Sequence, residues 1–157
     1  MCNNEYKNFF AKNWSEEKKI LNEFIKYIGK IKNPILLSYS GVGFDKNVLY
    51  YALKRYELES EYFLNLPHFD LCSILKKNFI FPIKGYGLKE VGKYLGYGFK
   101  SDYFDGLYVA MQYLRCQRTG EKLPKEIFNY IKDDVYSMDY IIRELKTKRN
   151  DIKDLDY

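Results

Sequence analysis

The fold is decided by the stretch PILLSYSGVGFD, residues 34–45. Its first half, Pro34–Tyr39, is mostly apolar and predicts a buried strand, and the two glycines that follow favour a short loop. Asp45 then begins a predicted helix that runs to about residue 56. Upstream, residues 5–11 are predicted to form a short strand and residues 13–29 a helix, with Asn13 as its N-cap and Glu16 as its partner in a capping box. This alternation of strands and helices favours an α/β fold over an all-α one.

The remainder of the chain is predicted to be mainly helical. A further strand is expected near Tyr62–Leu66. Four helices follow it, at Asp70–Phe79, Leu88–Leu95, about Leu107–Arg118 and Pro124 to about Lys148. Asp70 is expected to cap the first of these helices, and Thr119-Gly120 to close the third. The length of 157 residues favours a single domain, residues 1–149, with a frayed tail at 150–157.

The last predicted helix carries a carboxylate where an apolar side chain is expected. At about 100° per residue, one sector of this helix is apolar. The sector consists of Ile127, Ile131, Val135, Met138, Ile142 and Leu145. Asp134 falls within the sector, whereas Asp133 falls outside it. A buried carboxylate costs several kcal/mol unless a metal, a cation or strong donors meet it. We therefore expect Asp134 to point inward, toward Asp45, and Asp133 to face solvent.

Several short motifs occur in a recognisable order. They are Ser40-x3-Phe44-Asp45, His68-Phe69-Asp70-Leu71, Gly87-Leu88-Lys89-Glu90-Val91, Tyr94-Leu95-Gly96 and Tyr130-x3-Asp134. On these motifs, residues 34–145 resemble the RNase-H-like 3′–5′ exonucleases of the DEDDy type, and in particular the branch of predicted RNase-H-like exonucleases. The first and last motifs correspond to that family's Asn-x3-Phe/Tyr-Asp and Tyr-x3-Asp, with Ser40 in place of the asparagine.

The resemblance implies an RNase-H-like α/β fold and a two-metal site for phosphodiester hydrolysis. Asp45 and Asp134 would be ligands for Mg²⁺ or Mn²⁺, which prefer carboxylate oxygens. Tyr130, one turn before Asp134, would orient the attacking water. Other interpretations stay open: Asp45 as a helix cap, Asp134 in an ion pair with a lysine or arginine, and Tyr130 as a packing residue. The single histidine, His68, is expected to hydrogen-bond within the fold.

One family motif does not occur in this sequence. The resembling family carries Asp-x-Glu on its first strand, and no Asp-x-Glu is present in the chain. We therefore expect an N-terminally incomplete mixed sheet that lacks the first two strands and leaves one edge open to a partner or a second copy. Three functions remain: a 3′–5′ exonuclease-like domain that is inactive or slow alone, a non-catalytic remnant that binds nucleic acid or protein, and one half of a split nuclease.

Composition fits a nucleic-acid partner without proving one. The net charge is +5, the pI is near 8.9, and the chain contains 17 Tyr and 11 Phe, which can pack or stack on the bases of single-stranded ends. The three cysteines are widely spaced and predict neither a zinc site nor a disulfide framework, which favours a reducing, cytoplasmic setting. Neither a membrane-spanning apolar run nor a signal peptide is recognised.

Overall fold

The computed structural model describes residues 6–40, 45–58, 60–100 and 105–153. The chain forms two compact units, Met1–Ile74 and Leu75–Tyr157. The elements in chain order are α1 (Trp14–Ile28), β1 (Leu36–Ser38), α2 (Asp45–Arg55), α3 (Ser60–Leu64), β2 (His68–Asp70), α4 (Leu71–Asn78), α5 (Leu88–Tyr94), α6 (Gly106–Thr119) and α7 (Lys125–Lys153). Within the described residues, no helix is both long and apolar enough to cross a membrane.

The N-terminal unit is held together by an apolar core between its helices. Helix α1 begins at the predicted cap, where the Asn13 side chain accepts a hydrogen bond from the Glu16 N–H at 3.1 Å. The Glu16 carboxylate accepts from the Lys12 N–H at 3.1 Å, so the second bond of the predicted capping box comes from the residue before the cap and not from Asn13. The buried core residues are Leu21, Ile28, Ala52, Leu53, Phe63 and Leu66.

The sheet of this unit consists of two parallel strands within the described residues. Leu36 pairs with His68, Leu37 with Phe69 and Ser38 with Asp70. Its two faces differ, because Leu36 packs on the core whereas Leu37 and Phe69 are 38% and 49% exposed. The predicted buried strand is therefore covered on one face only. Parallel pairing places the carboxyl ends of both strands, at Ser38 and Asp70, side by side.

Two predicted strands are wrong. Residues 6–11 are not part of a strand, because Phe9 instead packs its ring against Phe24 and Tyr27 of α1, with ring centroids 5.5 Å from each. Residues 60–64 form the helix α3, in which Phe63 is buried in the core, and the strand occurs later, at β2. Short apolar and aromatic runs suit either a strand or a buried helix, and packing decided both cases.

The C-terminal unit brings α5 against α7. Helix α5 ends in a left-handed turn at Gly96, which has a φ of 99°. The Tyr97 N–H donates to the Gly92 carbonyl at 2.8 Å and the Gly96 N–H to the Lys93 carbonyl at 3.0 Å, the two bonds of a Schellman motif. This turn directs Tyr97 toward α7. Helix α7 continues to Lys153, five residues past the predicted end, so part of the predicted frayed tail is helical.

Candidate active site

Tyr130 and Asp134 form an interacting pair on one face of α7. They are one helical turn apart, and the tyrosine hydroxyl and the half-buried carboxylate of Asp134 each shift the pKa of the other. Burial, the negative charge of Asp134 and polar interaction with its carboxylate raise the pKa of Tyr130 to about 12, and the charge of Asp105 adds to the shift. Tyr130 therefore keeps its proton at neutral pH and acts as a hydrogen-bond donor.

A cation from α5 lies beside this pair. The Lys89 ammonium group is 4.8 Å from the centre of the Tyr130 ring. Burial raises the pKa of the Asp134 carboxyl and the charge of Asp133 adds to this, whereas the interaction with the Tyr130 hydroxyl and the attraction of Lys89 oppose it. The Tyr130 hydroxyl and the Lys89 ammonium group of the same unit therefore interact with Asp134, and a partly buried carboxylate needs such partners.

The predicted orientation of Asp133 is wrong. Asp133 is 7% exposed, and it is more deeply buried than its neighbour Asp134. Its carboxylate accepts from the Tyr97 hydroxyl at 2.9 Å and from the Lys100 N–H at 2.7 Å. Both donors come from the segment after α5. The buried line of α7 therefore includes Asp133 together with Ile127, Ser137 and Ile141.

The segment that follows α5 and helix α7 together border an open pocket. The cavity has a volume of about 510 Å³. Its lining includes Tyr97, Tyr136, Lys100 and Lys132. Aromatic rings can stack on bases and lysines can meet phosphates, so this pocket combines the two kinds of side chain that bind single-stranded nucleic acid.

Asp45 belongs to the N-terminal unit, whereas Tyr130 and Asp134 belong to the C-terminal one. Asp45 is exposed and is the first residue of α2, where the helix dipole favours its negative charge. Residues 41–44, including the glycines and Phe44 of its motif, lie outside the described part of the chain. The expected proximity of Asp45 and Asp134 stays a prediction.

Ser40, the residue that departs from the family motif, adopts a left-handed backbone conformation with a φ of 59°. Asparagine enters this conformation more readily than serine, because its short polar side chain can hydrogen-bond locally. The asparagine of the resembling motif would therefore suit the backbone that Ser40 adopts here. The hydrogen bond from the Ser40 N–H to Asp70, 2.7 Å long, helps to hold the turn with serine in place.

The expectation for His68 is confirmed. Its Nε2 atom lies 2.9 Å from the hydroxyl of Ser38 on the neighbouring strand, which is hydrogen bonding within the fold. Asp105 caps α6, since its side chain accepts from the Tyr108 N–H at 2.7 Å. The prediction that Asp70 caps α4 is confirmed. Sequence reasoning missed the bond of Asp70 to Ser40, the position of Lys89 beside Tyr130 and the burial of Asp133.

The carboxylates of Asp45 and Asp134 are chemically suitable ligands for a hard divalent cation. Asp45 and Asp134 supply carboxylate oxygens, which Mg²⁺ and Mn²⁺ prefer. Over the stretches that the structure covers, no three His, Cys, Asp or Glu side chains converge as a metal-binding group.

The N-terminal unit combines two parallel strands with helices, which is compatible with an α/β fold. The comparison with protein families agrees: the model of the RNase H superfamily matches residues 2–146. The chain therefore belongs to the RNase H superfamily, and this membership implies nucleic-acid binding of a nuclease-like kind. Searches of curated proteins and of solved structures each returned no significant match.

Proposed function

We propose that this chain is a metal-dependent 3′–5′ exonuclease-type domain that acts on single-stranded ends of nucleic acid. The observation that carries the proposal is the placement of Tyr130 next to Asp134, one helical turn apart on α7, in a chain that belongs to the RNase H superfamily. The spacing of this pair matches the Tyr-x3-Asp motif of the DEDDy exonucleases that the sequence resembles. The DEDDy assignment itself rests on the motifs.

In this proposal each side chain has a role that follows from its chemistry. Asp45 and Asp134 hold Mg²⁺ or Mn²⁺, which when bound would activate water and stabilise charge on the phosphodiester oxygens. Tyr130 stays protonated at neutral pH, so its hydroxyl can orient a water molecule without ionising. Lys89, beside the pair, offers a positive charge to a substrate phosphate.

Two carboxylates are half of the family's set, since Asp-x-Glu does not occur in the sequence. We therefore expect weak metal binding and slow hydrolysis by this chain, because phosphoryl transfer depends on cations that neutralise developing charge. Binding of the nucleic acid itself depends less on these metals. Lysines and tyrosines that line the cavity next to Asp133 can contact phosphates and bases without them.

The test uses a 5′-labelled single-stranded oligonucleotide with Mn²⁺. Wild type should shorten it from the 3′ end, and Asp134→Asn and Tyr130→Phe should each reduce the rate at least about tenfold. Asp139→Asn is the matched control, because Asp139 lies on the same helix in a surface ion pair with Arg143, at 2.6 Å. Equal rates in wild type and Asp134→Asn would contradict the assigned role of Asp134.

A second candidate function is favoured by one observation. Interactions with Tyr130 and Lys89 already offset part of the cost of burying the Asp134 carboxylate without a metal. A non-catalytic nucleic-acid-binding domain would need no more than this. It predicts oligonucleotide binding that is independent of Mn²⁺, with the labelled strand left intact by wild type.

Association with another chain is part of the proposal. The outer edge of β1 has no strand partner among the described residues, and beside it Ile35 and Leu37 are 60% and 38% exposed. Unpaired edges with apolar side chains invite strand pairing. Light scattering should reveal a dimer or higher species, whereas a monomer at all concentrations would count against self-association. We propose a reducing, cytoplasmic location, because Cys72 and Cys116 are buried and form no disulfide within the described residues.

A further inference from the structure

Residues 75–89, here called the basic segment, carry most of the net positive charge of the chain. The segment contains Lys76, Lys77, Lys84 and Lys89 and no aspartate or glutamate, so its charge is +4. The whole chain has a net charge of +5, which leaves +1 for the other 142 residues. The first three of these lysines are exposed, and all four belong to the C-terminal unit. Lysines concentrated in this way favour a polyanionic partner.

A loop within the basic segment presents an isoleucine to solvent. Ile80 is 98% exposed, the highest exposure of any large hydrophobic side chain in the described residues. The rings of its neighbours Phe79 and Phe81 are parallel, with centroids 5.9 Å apart, and Phe81 also packs on Tyr86 and Tyr94, at 5.7 and 5.6 Å. The Tyr86 hydroxyl donates to the Phe79 carbonyl at 2.7 Å. These contacts hold the loop on both sides of Ile80, while the isoleucine side chain itself makes little contact with the fold.

The basic segment ends beside the candidate active site. The ammonium group of Lys89, its last residue, lies 4.8 Å from the centre of the Tyr130 ring, and Tyr130 is one turn before Asp134 on α7. Ile80 is nine residues from Lys89 and is therefore no more than about 30 Å from it. A strand whose end lies at Tyr130 and Asp134 can thus extend along the segment.

We propose that the basic segment is a binding surface for single-stranded nucleic acid, in which Ile80 packs against an unstacked base and Lys76, Lys77 and Lys84 contact phosphates. The proposal rests on nucleic acid as the partner in the function proposed above, but neither on metal binding nor on hydrolysis. Lysines attract the phosphates of single strands and duplexes alike. An apolar side chain reaches the faces of duplex bases only after they are unstacked, so Ile80 should favour single strands.

The test measures fluorescence polarisation of a labelled single-stranded oligonucleotide, and of the duplex of the same sequence, in EDTA. Ile80→Ser should weaken single-strand binding about tenfold, as expected for loss of one buried isoleucine contact, and duplex binding less than about twofold. Its melting temperature should equal that of wild type, because Ile80 is almost fully exposed. Leu107→Ser is the matched control, since Leu107 is 71% exposed on α6 outside the basic segment, and it should change neither affinity.

A second variant tests the charges. Replacing the three exposed lysines of the basic segment by glutamine should weaken binding to single strand and duplex. The slope of log affinity against log salt for the single strand should fall by about 2, because each phosphate contact contributes about 0.7. The control has the same net charge and replaces three exposed lysines of α1, and it should keep the wild-type slope. Its substitutions are Lys18→Gln, Lys19→Gln and Lys26→Gln.

The outcomes separate this surface from other partners and from the proposed hydrolysis. Unchanged single-strand binding in Ile80→Ser, or equal effects of the two triple variants, would overturn the proposal. Wild type that binds vesicles of anionic phospholipid but no oligonucleotide would overturn it in favour of a membrane surface. Wild type that binds single strands through Ile80 but never shortens them with Mn²⁺ would refute the exonuclease function and support this surface. Shortening with an affinity that neither variant changes would refute only the surface.

Discussion

Replacing Asp133 by alanine should cost much more stability than replacing Asp134. Asp133→Ala removes the acceptor of two short hydrogen bonds, from the Tyr97 hydroxyl at 2.9 Å and the Lys100 N–H at 2.7 Å. Hydrogen bonds to charged groups contribute about 1.5–3 kcal/mol each. Their sum is an upper bound, because the half-buried Tyr97 hydroxyl can turn to water. We expect a loss of about 3 kcal/mol in the free energy of unfolding.

The same change at Asp134 should be small. Asp134→Ala removes one acceptor from Tyr130, but it also removes a charge that burial disfavours, as the raised pKa of Asp134 indicates. The two effects oppose each other, so we expect a change within about 1 kcal/mol. Asp139→Ala is the surface control, because exposed ion pairs such as that with Arg143 contribute about 0–1 kcal/mol.

Urea unfolding followed by circular dichroism measures these differences, and amide exchange at Lys100 reports the local effect. For a chain of this length, about 3 kcal/mol corresponds to a melting temperature lower by about 6–12 °C. Lys100 exchange should accelerate in Asp133→Ala only. The helical-wheel prediction from sequence requires the opposite order, so a larger loss in Asp134→Ala than in Asp133→Ala would refute the structural assignment.

Three further predictions concern other positions. Glu57, with a φ of 55°, occupies the left-handed position of a Schellman motif after α2. Because glycine adopts this conformation without strain, Glu57→Gly should raise the free energy of unfolding in urea by about 1 kcal/mol, whereas Glu57→Ala should not. A Cβ at Gly92 would lie 2.8 Å from the Phe99 ring, so Gly92→Ala should lower the free energy of unfolding by about 1–3 kcal/mol despite the better helix propensity of alanine, and an unchanged melting temperature would contradict this. The pKa of Asp70 is lower in the folded than in the unfolded chain, so Asp70 stabilises the fold above about pH 4 and loses this contribution as the pH falls below that value. Between pH 7 and 3, the free energy of unfolding should therefore fall more in wild type than in Asp70→Asn.

Local signals in the sequence predicted most of the helices. The cap at Asn13 and the glycine after α6 mark element ends that the structure confirms. These signals are local, because a cap or a left-handed turn acts within a few residues. The two wrong strand predictions involve short aromatic segments, whose conformation depends on distant packing partners such as the one Phe9 finds on α1.

The orientation of α7 could not be predicted, because its buried side is chosen by polar partners. The apolar sector placed Ile131 and Val135 inward, yet these residues are 39% and 44% exposed. Asp133 is buried instead because donors from Tyr97 and Lys100 meet its carboxylate. A helical wheel contains only the helix's own residues, so it cannot show donors supplied by the turn after α5. The motif spacing was a better guide, since it paired Tyr130 with Asp134 whichever side of the helix is buried.

The two adjacent aspartates of α7 have different surroundings, which the sequence alone does not reveal. Asp133 has a structural role, because both of its carboxylate oxygens accept hydrogen bonds from the segment that follows α5. Asp134 is held less tightly, by one hydroxyl and a nearby cation, and it keeps capacity to accept from a further ligand. A rigid anchor next to an adaptable carboxylate is the arrangement that a binding site needs, because the anchor fixes the helix while its neighbour remains available. On this reasoning, the burial of Asp133 supports the functional assignment of Asp134.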